Sequence, residues 1–267
     1  MGPTWAVILG LIAPSVLSHN IHGILLVNGT ETPEWKYVLD VAPVIPISNP
    51  DSLPPGYQGY KVDPIIGSGN PNITCGRLAF DSAPKTQIAD VLAGSEVGFR
   101  VSADGLGNRD LEKGYIPTFW HPGPAQAYLS RAPNDDLYSY KGDGDWFKIA
   151  YAGPVDDLTW SLWPGVSDFN FTIPSTTPPG KYLLRIENFM PTASTGYLQF
   201  YVNCAFVNII GPGGGTPTEF IRIPGDYTDE DPGFLVPPEQ SSLDGRVPRD
   251  QLKLMSYTPP GPAVWTG

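Results

Sequence analysis

Short apolar runs rich in β-branched and aromatic residues recur from residue 22 to residue 210, at Ile24–Val27, Thr86–Val91, Val97–Val101, Ala125–Leu129, Trp146–Tyr151, Phe169–Ile173, Lys181–Ile186 and Leu198–Ile210. Turn-forming clusters separate them, among them Asn28-Gly29, Ala93-Gly94-Ser95, Gly142-Asp143-Gly144 and Pro178-Pro179-Gly180. No segment combines a helix cap with several turns of 3.6-residue periodicity. This pattern predicts an all-β domain in which two antiparallel sheets pack into a β-sandwich. The Pro- and Gly-rich stretches 43–72 and 211–267 are expected to wrap it as long loops. Neither an internal repeat nor a linker to a second module interrupts the pattern, so residues 19–267 are read as one domain.

The first 18 residues differ from the rest. They carry no charged side chain and run apolar from Trp5 to Leu17, too short a stretch to span a bilayer. With Val16 and Ser18 before a cleavable bond, they read as a secretory signal peptide, and cleavage would leave His19 as the first residue. The mature chain is then expected to be secreted and extracellular, with no membrane partner. The triplets Asn28-Gly29-Thr30, Asn72-Ile73-Thr74 and Asn170-Phe171-Thr172 are glycosylation acceptors for that compartment. Two cysteines in an oxidising compartment have one intramolecular pairing, Cys75 with Cys204, which would close a long loop.

Composition narrows the function. Against 16 Lys+Arg stand 27 Asp+Glu, and the net charge of −11 argues against a nucleic-acid partner. Gly (30) and Pro (31) approach the level of a disordered chain, but 11 Phe, 7 Trp and 13 Tyr supply a core. Gly211-Pro212-Gly213-Gly214-Gly215 lacks the Gly-Lys-Ser/Thr of a phosphate loop. Asp143, Asp145 and the acidic run 226–231 lack calcium-loop spacing, and no Gly-x-Ser-x-Gly elbow offers a serine nucleophile.

The chain has three histidines, His19, His22 and His121. As an amino-terminal residue, His19 would offer its α-amine and its ring Nδ1 to one metal ion. The amine has an ordinary pKa near 8, so a metal readily displaces its proton. One further imidazole would complete a planar set of three nitrogens, which selects copper over zinc, calcium or magnesium. His22, three residues on, points to the opposite face of an extended segment and reads as a surface or packing residue. His121, on the Pro-fixed loop Phe119-Trp-His-Pro-Gly-Pro124, is the favoured partner.

These residues sit within a longer series of motifs: Leu26-Val-Asn-Gly29, Ile73-Thr-Cys75, His121-Pro-Gly-Pro-Ala-Gln-Ala-Tyr128, Gly144-Asp-Trp-Phe-Lys148, Phe171-Thr-Ile-Pro174, Pro178-Pro-Gly-Lys-Tyr-Leu-Leu-Arg185, Gln199-Phe-Tyr-Val-Asn-Cys204, Pro224-Gly-Asp-Tyr227, Asp231-Pro-Gly233 and Pro260-Gly-Pro-Ala-Val-Trp265. In this order they resemble the fungal lytic polysaccharide monooxygenases of auxiliary activity family nine, formerly listed as a glycoside hydrolase family. The resemblance covers nearly the whole mature chain. It implies an immunoglobulin-like or fibronectin-III-like sandwich that holds one copper ion through His19 and His121. It also implies Tyr201 near the axial position and Gln199 orienting bound oxygen. The implied reaction is oxidative cleavage of β-1,4-glucan at C1 or C4, with O2 or H2O2 as co-substrate and an external electron donor. A monomer is expected. Tyr227 matches a substrate-stacking position, and Tyr57 and Tyr60 are further candidates on a long loop.

One family feature is missing. A histidine that hydrogen-bonds bound oxygen commonly lies between the Leu-Leu-Arg and Gln-Phe-Tyr strands, whereas no histidine follows His121 here and Thr192 falls near the vacant position. A threonine hydroxyl donates a hydrogen bond but is no general acid near neutral pH. The alternative reading is therefore a copper- or glucan-binding protein of the same fold with little or no oxygenase activity.

Overall fold

A computed structural model of the chain describes residues 19–43, 61–103, 117–242 and 247–267. Residues 1–18, expected to be a signal peptide, and Tyr57 and Tyr60 lie outside the described residues. The expected β-sandwich is present. One sheet contains β1 (Ile24–Val27), β2 (Thr30–Glu31), β5 (Glu96–Arg100) and β10 (Asp168–Thr172), in the order β10-β5-β1-β2. The larger sheet runs β3-β12-β11-β6-β7, from β3 (Ile65–Ile66), β12 (Gln199–Ile210), β11 (Gly180–Met190), β6 (Ala125–Arg131) and β7 (Phe147–Ala152). A parallel strand, β4 (Ala89–Leu92), adds to the far end of β12, and β8 (Pro154–Asp156) pairs with β9 (Thr159–Trp160) as a separate ribbon. Asn28 and Gly29 both take positive φ, which closes the β1-β2 hairpin with the twist such turns require.

The two faces of the larger sheet are both buried. Leu184, Ile186, Ala205, Val207 and Ile209 point into the sandwich against Leu25, Val97 and Phe99. The alternate residues Leu183, Phe189, Phe200, Val202 and Phe206 form a second core with Phe234, Val236, Leu254 and Tyr257. The long carboxy-terminal segment thus supplies one wall of a core, which is why β11 and β12 are buried over almost their whole length. Cys204, on the outer face, bonds to Cys75 as the pairing required, closing a loop with a sequence separation of 129.

Three of the departures from the expected runs have a physical cause in the packing. β11 continues past Ile186 to Met190 because Glu187 and Asn188, polar in the pattern, are buried with partners: Glu187 pairs with Arg185 at 2.7 Å, and Asn188 Nδ2 donates to Pro124 O at 3.0 Å. The run at Thr86–Val91 begins as a strand only at Ala89, since Thr86 ends a 3-10 helix over Ala79–Lys85. Within the expected loop 43–72 lies β3, whose Ile66 and Ile65 pair with Gln199 and Phe200.

Candidate metal centre

The start of β12 presents Gln199 and Tyr201 at the end of the sandwich, two residues apart and hence on one face. The amino-terminal segment and the loop before β6 meet them there. Asn20 and His22 hold that segment in place. His22 N donates to Asn203 Oδ1 at 2.9 Å, Trp120 N donates to Asn20 Oδ1 at 3.3 Å, and Asn20 Nδ2 lies 3.1 Å from His22 Nε2. His22 is fully buried beside Phe119, and burial pulls its pKa down to about 3, partly countered by its hydrogen bond with Asn203. It is a packing residue that fixes the approach to His19.

The loop carrying His121 is equally constrained. A Cβ on Gly123 would lie 2.1 Å from Phe189 O, so only glycine lets this loop lie against β11. Pro124 O then accepts from Asn188 Nδ2, and His121 is held one turn before β6.

The outcome is a cluster of three rings. Ring centroids are 5.9 Å apart for His19 and His121, 6.0 Å for His19 and Tyr201, and 5.8 Å for His121 and Tyr201. A metal bound to an imidazole nitrogen lies about 3.2 Å from the ring centroid, so two imidazoles whose centroids are 5.9 Å apart can reach one ion. Among the described residues no group of three or more His, Cys, Asp and Glu forms a metal site. What converges instead is two imidazoles and a phenol. The third nitrogen would be the α-amine that cleavage before His19 exposes, and this donor set fits a copper ion.

Tyr201 is buried and donates its hydroxyl hydrogen to Gln199 Oε1 at 2.7 Å. Burial, with the nearby charge of Asp63 adding to it, pushes the Tyr201 phenol well above its ordinary value, so it stays neutral. The Gln199 carbonyl is thereby engaged, leaving its amide hydrogens as the donor end. Sequence reasoning did not single out Asp63. Its Oδ1 lies 3.3 Å from His19 Nδ1, with side-chain exposures of 13 % and 26 % respectively. Nothing in the Gly- and Pro-rich stretch around Val62-Asp63-Pro64 announces that proximity, which arises because β3 pairs with the first residues of β12.

One sequence expectation does not match the structure, the sugar-stacking role of Tyr227. Tyr227 is only 4 % exposed, and its hydroxyl donates to Glu187 Oε1 at 2.8 Å and lies 2.7 Å from the Tyr128 hydroxyl. It is part of the second core, where it closes the buried Arg185–Glu187 pair, and offers no face to a sugar. Thr192 is buried as well: its backbone bridges to Leu235, and its Oγ1 accepts from Ser194 N at 3.1 Å. Its hydroxyl serves its own turn. Exposed aromatic surface lies elsewhere. Tyr197, 65 % exposed, precedes Gln199 by two residues. A hollow of about 370 Å³ beside His121 is lined by Phe119, Trp120, Pro122, Trp163 and Pro164. Of the glycosylation triplets, Asn28 and Asn170 are exposed and Asn72 is partly buried.

Residues 19–244 match the sequence profile of Auxiliary Activity family 9 (formerly GH61), a match that begins at His19. The chain is 61 % identical over 263 residues, 98 % of each chain, to AA9 family lytic polysaccharide monooxygenase U of Thermothielavioides terrestris. It is 33 % identical to AA9 family lytic polysaccharide monooxygenase G of Aspergillus tamarii over 97 % of this chain and 69 % of that one. Among solved structures, the extended catalytic domain of H. jecorina LPMO9A shares the fold with a TM-score of 0.66 at 22 % identity, covering 93 % of this chain and 92 % of that one. CvAA9A gives the same TM-score and identity over 92 % of this chain and 98 % of that one. With the family profile covering most of the sequence and a relative matching it almost end to end, the chain belongs to Auxiliary Activity family 9.

Proposed function

We propose that the mature protein is a secreted, copper-dependent lytic polysaccharide monooxygenase that cleaves β-1,4-glucan by oxidation. The observation that carries this reading is the convergence of His19, His121 and Tyr201 at the end of the sandwich. The α-amine and Nδ1 of His19 and the imidazole of His121 would hold the ion after the signal peptide is removed at Ser18. Bound there, copper supplies one-electron activation of O2 or H2O2, which allows a hydrogen to be taken from C1 or C4 of the glycosidic bond.

The chain's own residues do the rest. The neutral, buried Tyr201 closes one side of the site with an apolar ring face and excludes water there. Its hydrogen bond to Gln199 fixes the amide, whose hydrogens can orient an oxygen species at the site. With Thr192 engaged in its own turn, Gln199 is the donor named for that role. Tyr197 and the Trp120–Trp163 hollow offer ring faces on which pyranose rings can stack, replacing Tyr227 as candidates for substrate contact. Reducing equivalents would come from an external donor, and the family assignment favours turnover over a binding-only role.

The test uses secreted protein loaded with one equivalent of copper, ascorbate and phosphoric-acid-swollen cellulose, with products read by mass spectrometry. Aldonic acids or C4-oxidised oligosaccharides are expected from the wild type and not from His121→Ala. Copper-loaded protein that releases none would overturn the oxygenase reading, and metal-independent release of unoxidised sugars would point to a hydrolase.

A further inference from the structure

Two hollows share Trp163 as a wall. The first, of about 370 Å³, has Trp120 and His121 in its lining. The second, of about 380 Å³, is lined by Leu158, Ser242, Arg249 and Leu252 as well as Trp163. Each falls within the size range of small-ligand sites, roughly 300–1,000 Å³. Together they lead away from the His121 side of the proposed copper site, past two indoles, to a cation. The loops that form them are tied to one another. Phe119 N donates to Val166 O at 2.8 Å and Ser167 Oγ to Pro117 O at 2.7 Å, so the loop after Trp163 is joined to the segment that carries His121. Leu158 lies in the turn of the β8-β9 ribbon. That ribbon is fastened to the carboxy-terminal segment by Leu254 N, which donates to Asp157 O at 3.2 Å, and by Met255 N, which donates to Asp157 Oδ1 at 3.0 Å. A site already in place loses little freedom when a ligand enters it.

The walls combine apolar rings with polar donors, as sugar recognition requires. Trp120 and Trp163 are partly exposed, and an indole face can stack on the apolar face of a pyranose. The Arg249 side chain is exposed, with its guanidinium 5.9 Å from the Trp163 ring, and among the described residues it pairs with no carboxylate. Its planar fork of donors suits the adjacent hydroxyls of a sugar stacked beside it. Ser242 Oγ accepts from Trp160 Nε1 at 3.0 Å and keeps its own hydrogen to donate. Shape then decides which form of polysaccharide fits. The face of a crystalline polymer presents its chains side by side in a plane and cannot enter a hollow, whereas an isolated chain can lower successive rings into both.

Resting on the polysaccharide monooxygenase reading above, we infer that the two hollows form one track for a single, dispersed β-1,4-glucan chain on the His121 side of the metal centre, with Trp120 and Trp163 stacking on its rings and Arg249 and Ser242 hydrogen-bonding its hydroxyls. The track makes soluble or swollen glucan the preferred form of substrate over crystalline cellulose.

The test measures binding by the secreted, mature protein with no reductant present, so that nothing turns over. Cellohexaose is titrated calorimetrically, and depletion by microcrystalline cellulose is measured alongside. The variants are Trp163→Ala, Trp163→Phe and Arg249→Ala, with Tyr138→Ala as a control on an exposed ring outside the hollows. Cellohexaose should bind the wild type, and Trp163→Ala and Arg249→Ala should each lose about fivefold or more in affinity. Trp163→Phe should keep most of it, because a ring face remains, and Tyr138→Ala should match the wild type. Binding to microcrystalline cellulose should be the same in all. If Trp163→Ala folds poorly, Arg249→Ala decides, since its side chain is exposed. A wild type that does not bind cellohexaose, wild-type affinity in folded Arg249→Ala, or an equal loss on microcrystalline cellulose would overturn the track and leave oxidative cleavage to be judged from the products of swollen cellulose. Absence of those products with cellohexaose still bound along the track would overturn the oxygenase reading alone.

Discussion

His22 makes the amino-terminal segment sensitive to acid. It is fully buried, tied through its backbone to Asn203 and set beside Phe119, so the folded protein resists protonating its ring. Burial holds its pKa at about 3, against an ordinary value of 6.5. The unfolded chain takes up a proton through the ordinary value while the folded one does not. The contribution of His22 is therefore fully present above about pH 6.5 and is lost progressively as pH falls toward 3. At 1.36 kcal/mol per unit, the loss between about pH 7.5 and 4.5 is about 2.5 kcal/mol. Denaturant unfolding of the metal-free mature protein, followed by tryptophan fluorescence, measures it against His22→Gln at each pH. Comparing the two removes the contribution of carboxylates that titrate over the same range. The wild type should lose about 2.5 kcal/mol more than the variant over that interval. Parallel pH profiles would refute the claim that His22 is buried and neutral.

Other perturbations probe the rest of the molecule. Glu187→Leu leaves the fully buried Arg185 charge without its carboxylate and should cost about 3–5 kcal/mol, read as a fall of about 10 °C in melting temperature. Cys75→Ser with Cys204→Ser removes the cross-link over the 129-residue separation and should cost about 2–5 kcal/mol by the same assay. Tyr201→Phe deletes the hydrogen bond to Gln199; it should leave copper stoichiometry intact while lowering the yield of oxidised products, by about 1 kcal/mol or fivefold if that bond orients Gln199 only during turnover. Gly123→Ala drives a Cβ into Phe189 O and should displace the His121 loop, seen as weakened copper binding in a protein that still folds.

The sandwich was legible because its strands carry apolar, β-branched residues between Gly, Pro and Asn turns, and most expected runs coincide with strands. The pattern failed where polar residues are buried. Glu187 and Asn188 look like the end of a strand, yet Glu187 pairs with Arg185 on the outer face of β11 and Asn188, on the opposite face, donates to Pro124 O. β3 was hidden by its Pro- and Gly-rich surroundings and exists because the edge of β12 pairs with it. His19 and His121 could be paired on paper because an amino-terminal histidine has a chemistry of its own, and the family motifs then supplied Tyr201 and Gln199. Tyr227 could not be assigned in this way, since its burial depends on Glu187 and Tyr128, which only the fold brings to it. Asp63 left no trace in the pattern, because its proximity to His19 follows from how β3 docks.

Copper binding by proteins that differ only at the amino terminus tests the site most directly. Isothermal titration with copper(II) should give one tight site per chain for protein whose first residue is His19. The same protein with one added glycine before His19, which turns the α-amine into an amide, should lose at least tenfold in affinity, as should His121→Ala. Equal affinity in all three, or a secreted wild type that does not begin at His19, would contradict the account.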